Sequence, residues 1–240
     1  MGRPHSARQL TRTPPGRIFP VPPVAIVPFL PISPMRLAIL VIASLGLLLG
    51  TGPVHAQQEL LADSQHELPA EQEAFWSSIL ELCGQAFERV DAPFVMHVRQ
   101  CYADEIRIPV HVHDEEEEDW NRSRTWILTR TDEGLRLKHD HRYPDGSEEE
   151  VTQYGGDTEE VGTEGIQTFP ADAFTREVIG ELVPGAVRNI WRMEITPGEV
   201  FSYRLTRSTF DDALRWAFDL TEPVEPPPAP WGYEDTEPTH

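Results

Sequence analysis

The sequence predicts a mainly β protein: an antiparallel, lipocalin-like β-barrel with an N-terminal helix packed across it and a short helix between strands. Two observations lead to this fold class. Apolar and polar residues alternate in many short segments from residue 94 onward, and glycine- or proline-containing turn signals separate these segments. A single helical pattern with apolar residues at three- and four-residue steps precedes them.

A targeting signal is predicted before the folded part. Residues 37–49 form an uncharged apolar run after Arg36, and Val54-His55-Ala56 places small residues where signal peptidase cleaves. We therefore interpret 1–56 as a signal peptide, with the proline-rich residues 1–34 as a gene-model extension and Met35 as the start. The alternative is a retained membrane anchor, for which the run is short, since a spanning helix needs about 20 apolar residues.

A linker over 57–68 is expected to lead into the helix, which the pattern predicts over 69–90. Pro69 suits a first helical position, and apolar residues then recur on one face. Gly84 is the weak point of this helix.

Nine short strands are predicted after the helix, and together with it they define a predicted domain over 69–220. After segments near 94–98 and 106–112, the pattern indicates strands over 123–130, 134–142, 148–154, 164–169, 187–195, 199–207 and 213–220. A short helix is expected from Ala171 to Ile179, and Gly155-Gly156 is interpreted as a turn.

The remaining residues, 221–240, form a proline-rich tail that we expect to be extended polyproline outside the sheet. Trp231 offers a way to pin it to the barrel, and a disordered end is the alternative.

Charge excludes one class of partner. Acidic residues outnumber basic ones by 40 to 20, for a formal net charge of −20, so no basic surface is expected to hold nucleic acid. The acidic run 114–119 is interpreted as a solvated loop; a calcium loop would space its carboxylates and include a turn glycine.

Two cysteines, Cys83 and Cys101, are predicted to form a disulfide. They are the only cysteines, both follow the cleavage site, and export leads to an oxidising compartment. A pair of reactive thiols is the alternative, but the acidic neighbours Glu81 and Asp104 would not lower a thiol pKa.

The candidate site lies on one hairpin. The turn at 131–134 sets a register in which Trp126 faces His139 and Arg124 faces His141. These four residues then continue the inner apolar row, while the outer row is expected to be solvated (Arg136, Lys138, Asp140 and Arg142). Polar groups on an inner face need partners or a solvated cavity, so we assign the four as ligand-binding residues.

Other interpretations of this hairpin stay open. In one of them the hairpin end lies at the barrel rim, where Arg124 and His141 reach water. His139 and His141 with Glu149 or Glu150 could hold zinc or iron, whereas His111 and His113 are expected to face outward. The sequence has no HExxH, Gly-x-Ser-x-Gly or phosphate-loop motif, so no catalytic residue, metal ligand or cofactor is assigned, and enzymatic activity is left open.

Four segments give the chain a family resemblance: SRTW at 123–126, LRLKHDHR at 135–142, YGGDT at 154–158 and PPAPWG at 227–232. On these segments the chain resembles an uncharacterised family of exported bacterial proteins with a lipocalin-like barrel. The resemblance implies secretion and a common fold, and it carries no activity.

Together these features predict a periplasmic or secreted binding protein for a small ligand, with Arg124 pairing an anionic group and Trp126 supplying apolar contact. A metal-dependent enzyme or metal-binding protein that uses the barrel histidines, and a structural envelope protein with a filled barrel, are the alternatives. No stable membrane anchor is expected after processing, and the oligomeric state is left open.

Overall fold

The computed structural model describes residues 64–114, 116, 118–207 and 212–239. The predicted signal peptide and residues 57–63 of the predicted linker lie outside these described residues. Within them, no helix is both long enough and apolar enough to cross a membrane.

The first helix, α1 (Ala70–Leu80), buries an aromatic face that includes Phe75 and Trp76. The predicted helix is wrong beyond residue 80. Gly84 adopts a φ of +79°, which a right-handed helix cannot contain and which glycine tolerates without strain. The chain then continues as a strand, so that Cys83 lies in the turn after α1 and not within the helix.

The described residues form eleven strands, as the alternating pattern indicates in outline. In chain order they are β1 (Ala86–Glu88), β2 (Phe94–His97), β3 (Gln100–Cys101), β4 (Glu105–Asp114), β5 (Asp119–Thr131), β6 (Gly134–His141), β7 (Tyr154–Asp157), β8 (Ile166–Pro170), β9 (Asn189–Thr196), β10 (Val200–Arg207) and β11 (Asp212–Asp219). The connection from β8 to β9 is helical, as expected there, and consists of a π-helical turn (Thr175–Ile179), α2 (Gly180–Leu182) and a 3₁₀ segment (Pro184–Arg188).

All strand pairs are antiparallel, and the strands form two sheets. The first sheet has the order β1-β2-β4-β5-β6-β7, with β3 also paired to β4, and the second has the order β11-β10-β9-β8. Isolated bridges join the sheets at both lateral edges, between Arg89 and Phe218 and between Gly156 and Ala171. A mainly β, antiparallel fold is thus confirmed, whereas the ladders of the described residues do not close into one continuous barrel.

The inner faces of the two sheets enclose a core of fully buried side chains, among them Leu128, Leu137, Phe169, Phe201 and Phe218. α1 covers the end of this core at which the β5–β6 turn lies. There the Gln72 amide donates to the Thr158 hydroxyl at 3.0 Å, and buried Arg130 pairs with Glu73 at 2.6 Å. A binding site between the sheets is therefore to be sought at the opposite end of the β5–β6 hairpin, which α1 does not cover.

The predicted disulfide is confirmed. Cys83 and Cys101 are bonded, with their Cα atoms 6.4 Å apart, and the bond ties the turn after α1 to β3. Cys101 belongs to the hydrophobic core, and Cys83 packs against that core.

Two predictions about β7 are wrong. The strand expected over 148–154 begins only at Tyr154, because the charged residues before it make a single bridge, Glu148 with Arg142. Gly155 and Gly156 lie within the strand and form no turn. A Cβ atom on either glycine would lie within 2 Å of a backbone oxygen, that of Leu137 or of Pro170, so only glycine permits this close approach.

The tail packs along the outer face of the first sheet. Backbone hydrogen bonds join Val224 to Ala86, Trp231 to Arg122 and Thr239 to Arg99. The Arg122 guanidinium also lies 6.0 Å from the centre of the Trp231 ring. The tail thus takes part in the fold of the first sheet over most of its length.

Because the tail covers the outer face of the first sheet, two expectations about that face are wrong. Asp140, expected in water, is 1% exposed, and it accepts hydrogen bonds from Arg142, Gln153 and the Tyr233 hydroxyl. His111 points away from the core as expected but is fully buried, with Trp120 packed against its ring. The other expected surface residues behave differently, since Arg136 is exposed while Lys138 and Arg142 are half-buried by their ion pairs.

Candidate functional site

The β5–β6 hairpin has the predicted register. Trp126 lies opposite His139 and Arg124 lies opposite His141. Because side chains alternate between the faces of a strand, all four share the face that looks toward the second sheet. On this face the apolar pair Leu128 and Leu137 lies nearer α1. The rings of Trp126 and His139 follow, and then the polar pair Arg124 and His141.

A cavity of about 290 Å³ lies between the two sheets at this end, and all four predicted residues line it. Its remaining walls come mainly from the second sheet and the helical connection. They are Thr125, Val151, Tyr154, Ile179, Val183, Ala186, Asn189, Trp191, Tyr203, Leu205, Arg207, Leu214 and Trp216. The structure thus brings the predicted residues together in one wall of one cavity; whether they bind a ligand stays a prediction.

Stacked aromatic rings form the deep part of the cavity. The Trp126 ring stacks on Tyr203, with centroids 4.4 Å apart and 19° between the planes, and Trp216 extends this stack at 5.7 Å from Tyr203. His139 stacks on Tyr154 at 4.5 Å and 10°. Contacts of this kind hold large side chains in single orientations, so the deep wall is rigid and flat.

His139 uses both ring nitrogens within the protein. Nδ1 lies 3.0 Å from the backbone oxygen of Tyr154, and Nε2 lies 2.7 Å from the Tyr203 hydroxyl. Since a carbonyl can only accept, Nδ1 carries the proton and Nε2 accepts from Tyr203. Burial lowers the pKa of His139 to about 3, which keeps the ring neutral. His139 therefore contributes a ring face to the cavity and orients Tyr203.

His141 joins a chain of polar groups nearer the mouth. Its Nε2 lies 3.1 Å from the Tyr154 hydroxyl, and its Nδ1 lies 3.7 Å from a carboxylate oxygen of Glu149. Burial and then the positive charge of Arg124 lower the pKa of His141 to about 4, against a smaller opposing effect of Asp140. Burial also raises the pKa of Glu149. At neutral pH His141 is thus an uncharged hydrogen-bonding group.

Two arginines line the cavity: Arg207 is exposed and donates to Asn189 at 3.2 Å, and Arg124 is the less exposed of the two. Its side chain is half-buried, and Nη1 donates to the Ser123 hydroxyl at 3.2 Å. Within the described part of the chain, no carboxylate lies within 4.0 Å of its guanidinium. Arg130 and Arg142, in contrast, each pair with two carboxylates. The fold gives these two arginines carboxylates at ion-pair distance, whereas Arg124 acts on Glu149 only at longer range, where its charge lowers the pKa of that carboxyl against the opposing effect of burial.

The residues expected for a metal site do not assemble into one. Both nitrogens of His139 have protein partners, and Glu150 is exposed. Over the residues that the structure describes, no three His, Cys, Asp or Glu side chains are grouped so that they could hold a metal ion. Only His141 and Glu149 remain together, and a single imidazole beside one carboxylate is a poor metal site.

Reasoning from the hairpin missed the half of the site that comes from other strands. Tyr154 lies on β7, Trp191 on β9, Tyr203 on β10 and Trp216 on β11. Alternation within the last two strands would have placed Tyr203 and Trp216 on an inner face. Nothing local indicates Trp191 or Asn189, because their position depends on how the second sheet packs on the first.

Comparison with known proteins adds no relative: no family model, curated protein or solved structure matches this chain. The resemblance to exported bacterial proteins therefore stays a prediction, and the site has to be interpreted from its own chemistry.

Proposed function

We propose that this chain is an exported binding protein that holds a small ligand with an anionic group in the cavity between its two sheets. One observation carries the proposal: the guanidinium of Arg124 lines that cavity and has no carboxylate within ion-pair distance among the described residues. A half-buried cation without a counter-charge costs free energy, and a bound anion would remove that cost.

The cavity itself supports a ligand rather than a fully packed interior. Its volume of about 290 Å³ stands at the lower end of the range of about 300–1,000 Å³ that is usual for small-molecule sites. Such sites combine mostly apolar walls with a few polar groups that orient the ligand. Here Arg124 and neutral His141 are the polar groups, and the aromatic rings are the walls.

Export and a barrel-like enclosure belong to the same proposal. The disulfide supports export, since structural disulfides persist mainly in oxidising compartments, and the apolar run before residue 56 supports a signal peptide. Bridges between the sheets at both lateral edges support an enclosure like that of lipocalins. The family resemblance is proposed on the same grounds, as membership of a group of exported bacterial proteins.

Native mass spectrometry of protein purified from its own compartment tests the proposal. Wild-type protein is expected to carry an added mass that disappears on denaturation. Arg124→Ala and His141→Ala should lose it, while the outer-face variants Lys138→Ala and Arg136→Ala should keep it. Retention that is equal in all four variants, or no added mass in any sample, would contradict the proposal.

A further inference from the structure

The rings of the cavity wall form two groups of stacked and tilted planes. The indole group consists of Trp126, Tyr203 and Trp216, whose planes differ by 19° to 32°. The histidine group consists of His139, Tyr154 and Trp191, whose planes differ by 10° to 42°. A wall of flat rings complements a flat ligand, because stacked and offset aromatic contacts are favourable beyond the area they bury.

The polar atoms of the tyrosine and histidine rings are engaged inside the protein. The Tyr203 hydroxyl donates to His139, the other nitrogen of His139 donates to a backbone carbonyl, and the Tyr154 hydroxyl is hydrogen-bonded to His141. A ligand that reaches this depth therefore meets tyrosine and histidine groups that are already paired, whereas the indole N–H groups of Trp126, Trp191 and Trp216 have no hydrogen-bond partner among the described residues. The deep part of the ligand should therefore be mainly apolar, and a polar group there would need an indole N–H as its partner to avoid being buried unpaired.

The distance from the rings to the cation limits where the acid can be. Arg124 and Trp126 are two residues apart on β5, so their Cα atoms are separated by about 7 Å along the strand. The acid must then be attached to the ring directly or through one or two atoms. A long flexible chain between them would have no room in a cavity of about 290 Å³.

Resting on the proposed function, we infer that the ligand is a compact aromatic acid: a one- or two-ring planar group seated on the indole and histidine groups, with its carboxylate or equivalent anion on Arg124. Aliphatic side chains also line the cavity, from Ile179 and Val183 on the helical connection and from Leu205 and Leu214 on the second sheet. A short saturated acid is therefore the competitor that has to be measured.

Three probes separate these possibilities: 1-naphthoate, octanoate and the neutral 1-naphthalenemethanol. Each is titrated by calorimetry at pH 7 into the full mature chain, which has been unfolded and refolded with its disulfide intact to remove any retained ligand. We expect 1-naphthoate to bind at least about tenfold more tightly than either of the other probes, a difference of about 1.4 kcal/mol. Arg124→Gln should weaken both acids to a similar degree.

A variant of the ring wall gives an independent readout. Trp216→Leu should weaken 1-naphthoate by about three- to tenfold, the value of one aromatic contact, and should change octanoate by less than about twofold. Trp231→Leu, on the tail at the outer face, is the matched control and should change neither. Should Trp216→Leu fail to fold, the wild-type preference among the three probes still decides the question.

The outcomes distinguish this inference from the proposed function. Octanoate binding as tightly as 1-naphthoate would overturn the aromatic ligand and leave the anion site standing. 1-Naphthalenemethanol binding as tightly as 1-naphthoate would overturn the role of Arg124. No binding of either acid would contradict the proposed function and this inference together.

Discussion

The two faces of the first sheet bury charge in different ways. On the outer face, Asp140 is enclosed by Arg142, Gln153 and Tyr233, so the chain itself supplies its counter-charge and its hydrogen-bond donors. On the inner face, Arg124 has a hydroxyl neighbour and, among the described residues, no carboxylate within 4.0 Å. The hydrogen-bonded network around Asp140 stabilises the fold. The unpaired charge of Arg124, in contrast, indicates an anion that comes from outside the chain.

The largest expected effect is on the completed face. Asp140→Ala leaves the Arg142 charge, the Tyr233 hydroxyl and the Gln153 amide without their shared acceptor, and should lower the free energy of unfolding by about 3 kcal/mol. Urea unfolding measures it, and exposed Asp235→Ala is the control. If the loss is below about 1 kcal/mol, the outer network is not the stabilising element described here.

Removing the disulfide should have a slightly smaller effect. The bond spans 18 residues, and the chain-entropy model gives roughly 3 kcal/mol for such a loop, less any strain. Thr239 of the tail lies against both cysteines, and neither cysteine lines the cavity. The double variant Cys83→Ser, Cys101→Ser should therefore lose stability and keep its affinity for 1-naphthoate; a loss of affinity at equal foldedness would contradict this separation.

Acid should destabilise both faces, since each buries histidines. Burial, with smaller effects of nearby positive groups, lowers the pKa of His111 to about 3, as it does for His139, and lowers that of His141 to about 4. The unfolded chain binds these protons near pH 6.5 and the folded chain does not, so stability falls as the pH decreases from about 6.5 toward 4. Each histidine can contribute up to about 2 kcal/mol between pH 6.5 and 5.

Urea unfolding at a series of pH values measures this loss. His111→Gln on the outer face and His141→Gln on the inner face should each flatten the profile. A wild-type profile that is flat from pH 7 to 5 would show that the histidines are not buried as neutral groups.

A smaller effect is expected on the pKa of His141, the neighbour of Arg124. Because the positive charge of Arg124 contributes to the lowered pKa of His141, Arg124→Leu should raise that pKa toward its ordinary value. Titration of the histidine ring protons by NMR reports it, with His139 as an internal reference whose lowered pKa comes mainly from burial. An unchanged pKa of His141 would mean that the Arg124 side chain points away from it.

Sequence patterns predicted the features that neighbouring residues determine, such as a turn and the register of its hairpin. The four-residue turn after Arg130 fixed the hairpin register and hence the inner row of Arg124, Trp126, His139 and His141. Two cysteines in a chain expected to be exported left one disulfide to form. What the patterns missed depends on distant contacts: the tail that buries Asp140, the close approach that requires Gly155, and the rings that the second sheet adds to the cavity.

Unfolding of Arg124→Leu in ligand-free, refolded protein tests the central claim most directly, because it asks whether the fold needs this cation. If Arg124 awaits an external anion, replacing it with an apolar side chain should leave the free energy of unfolding within about 1 kcal/mol of wild type or raise it. Arg142→Leu, at the completed outer network, should lower the same quantity by about 2 kcal/mol or more. A comparable loss in Arg124→Leu would contradict the account, because Arg124 would then be a structural partner of the fold.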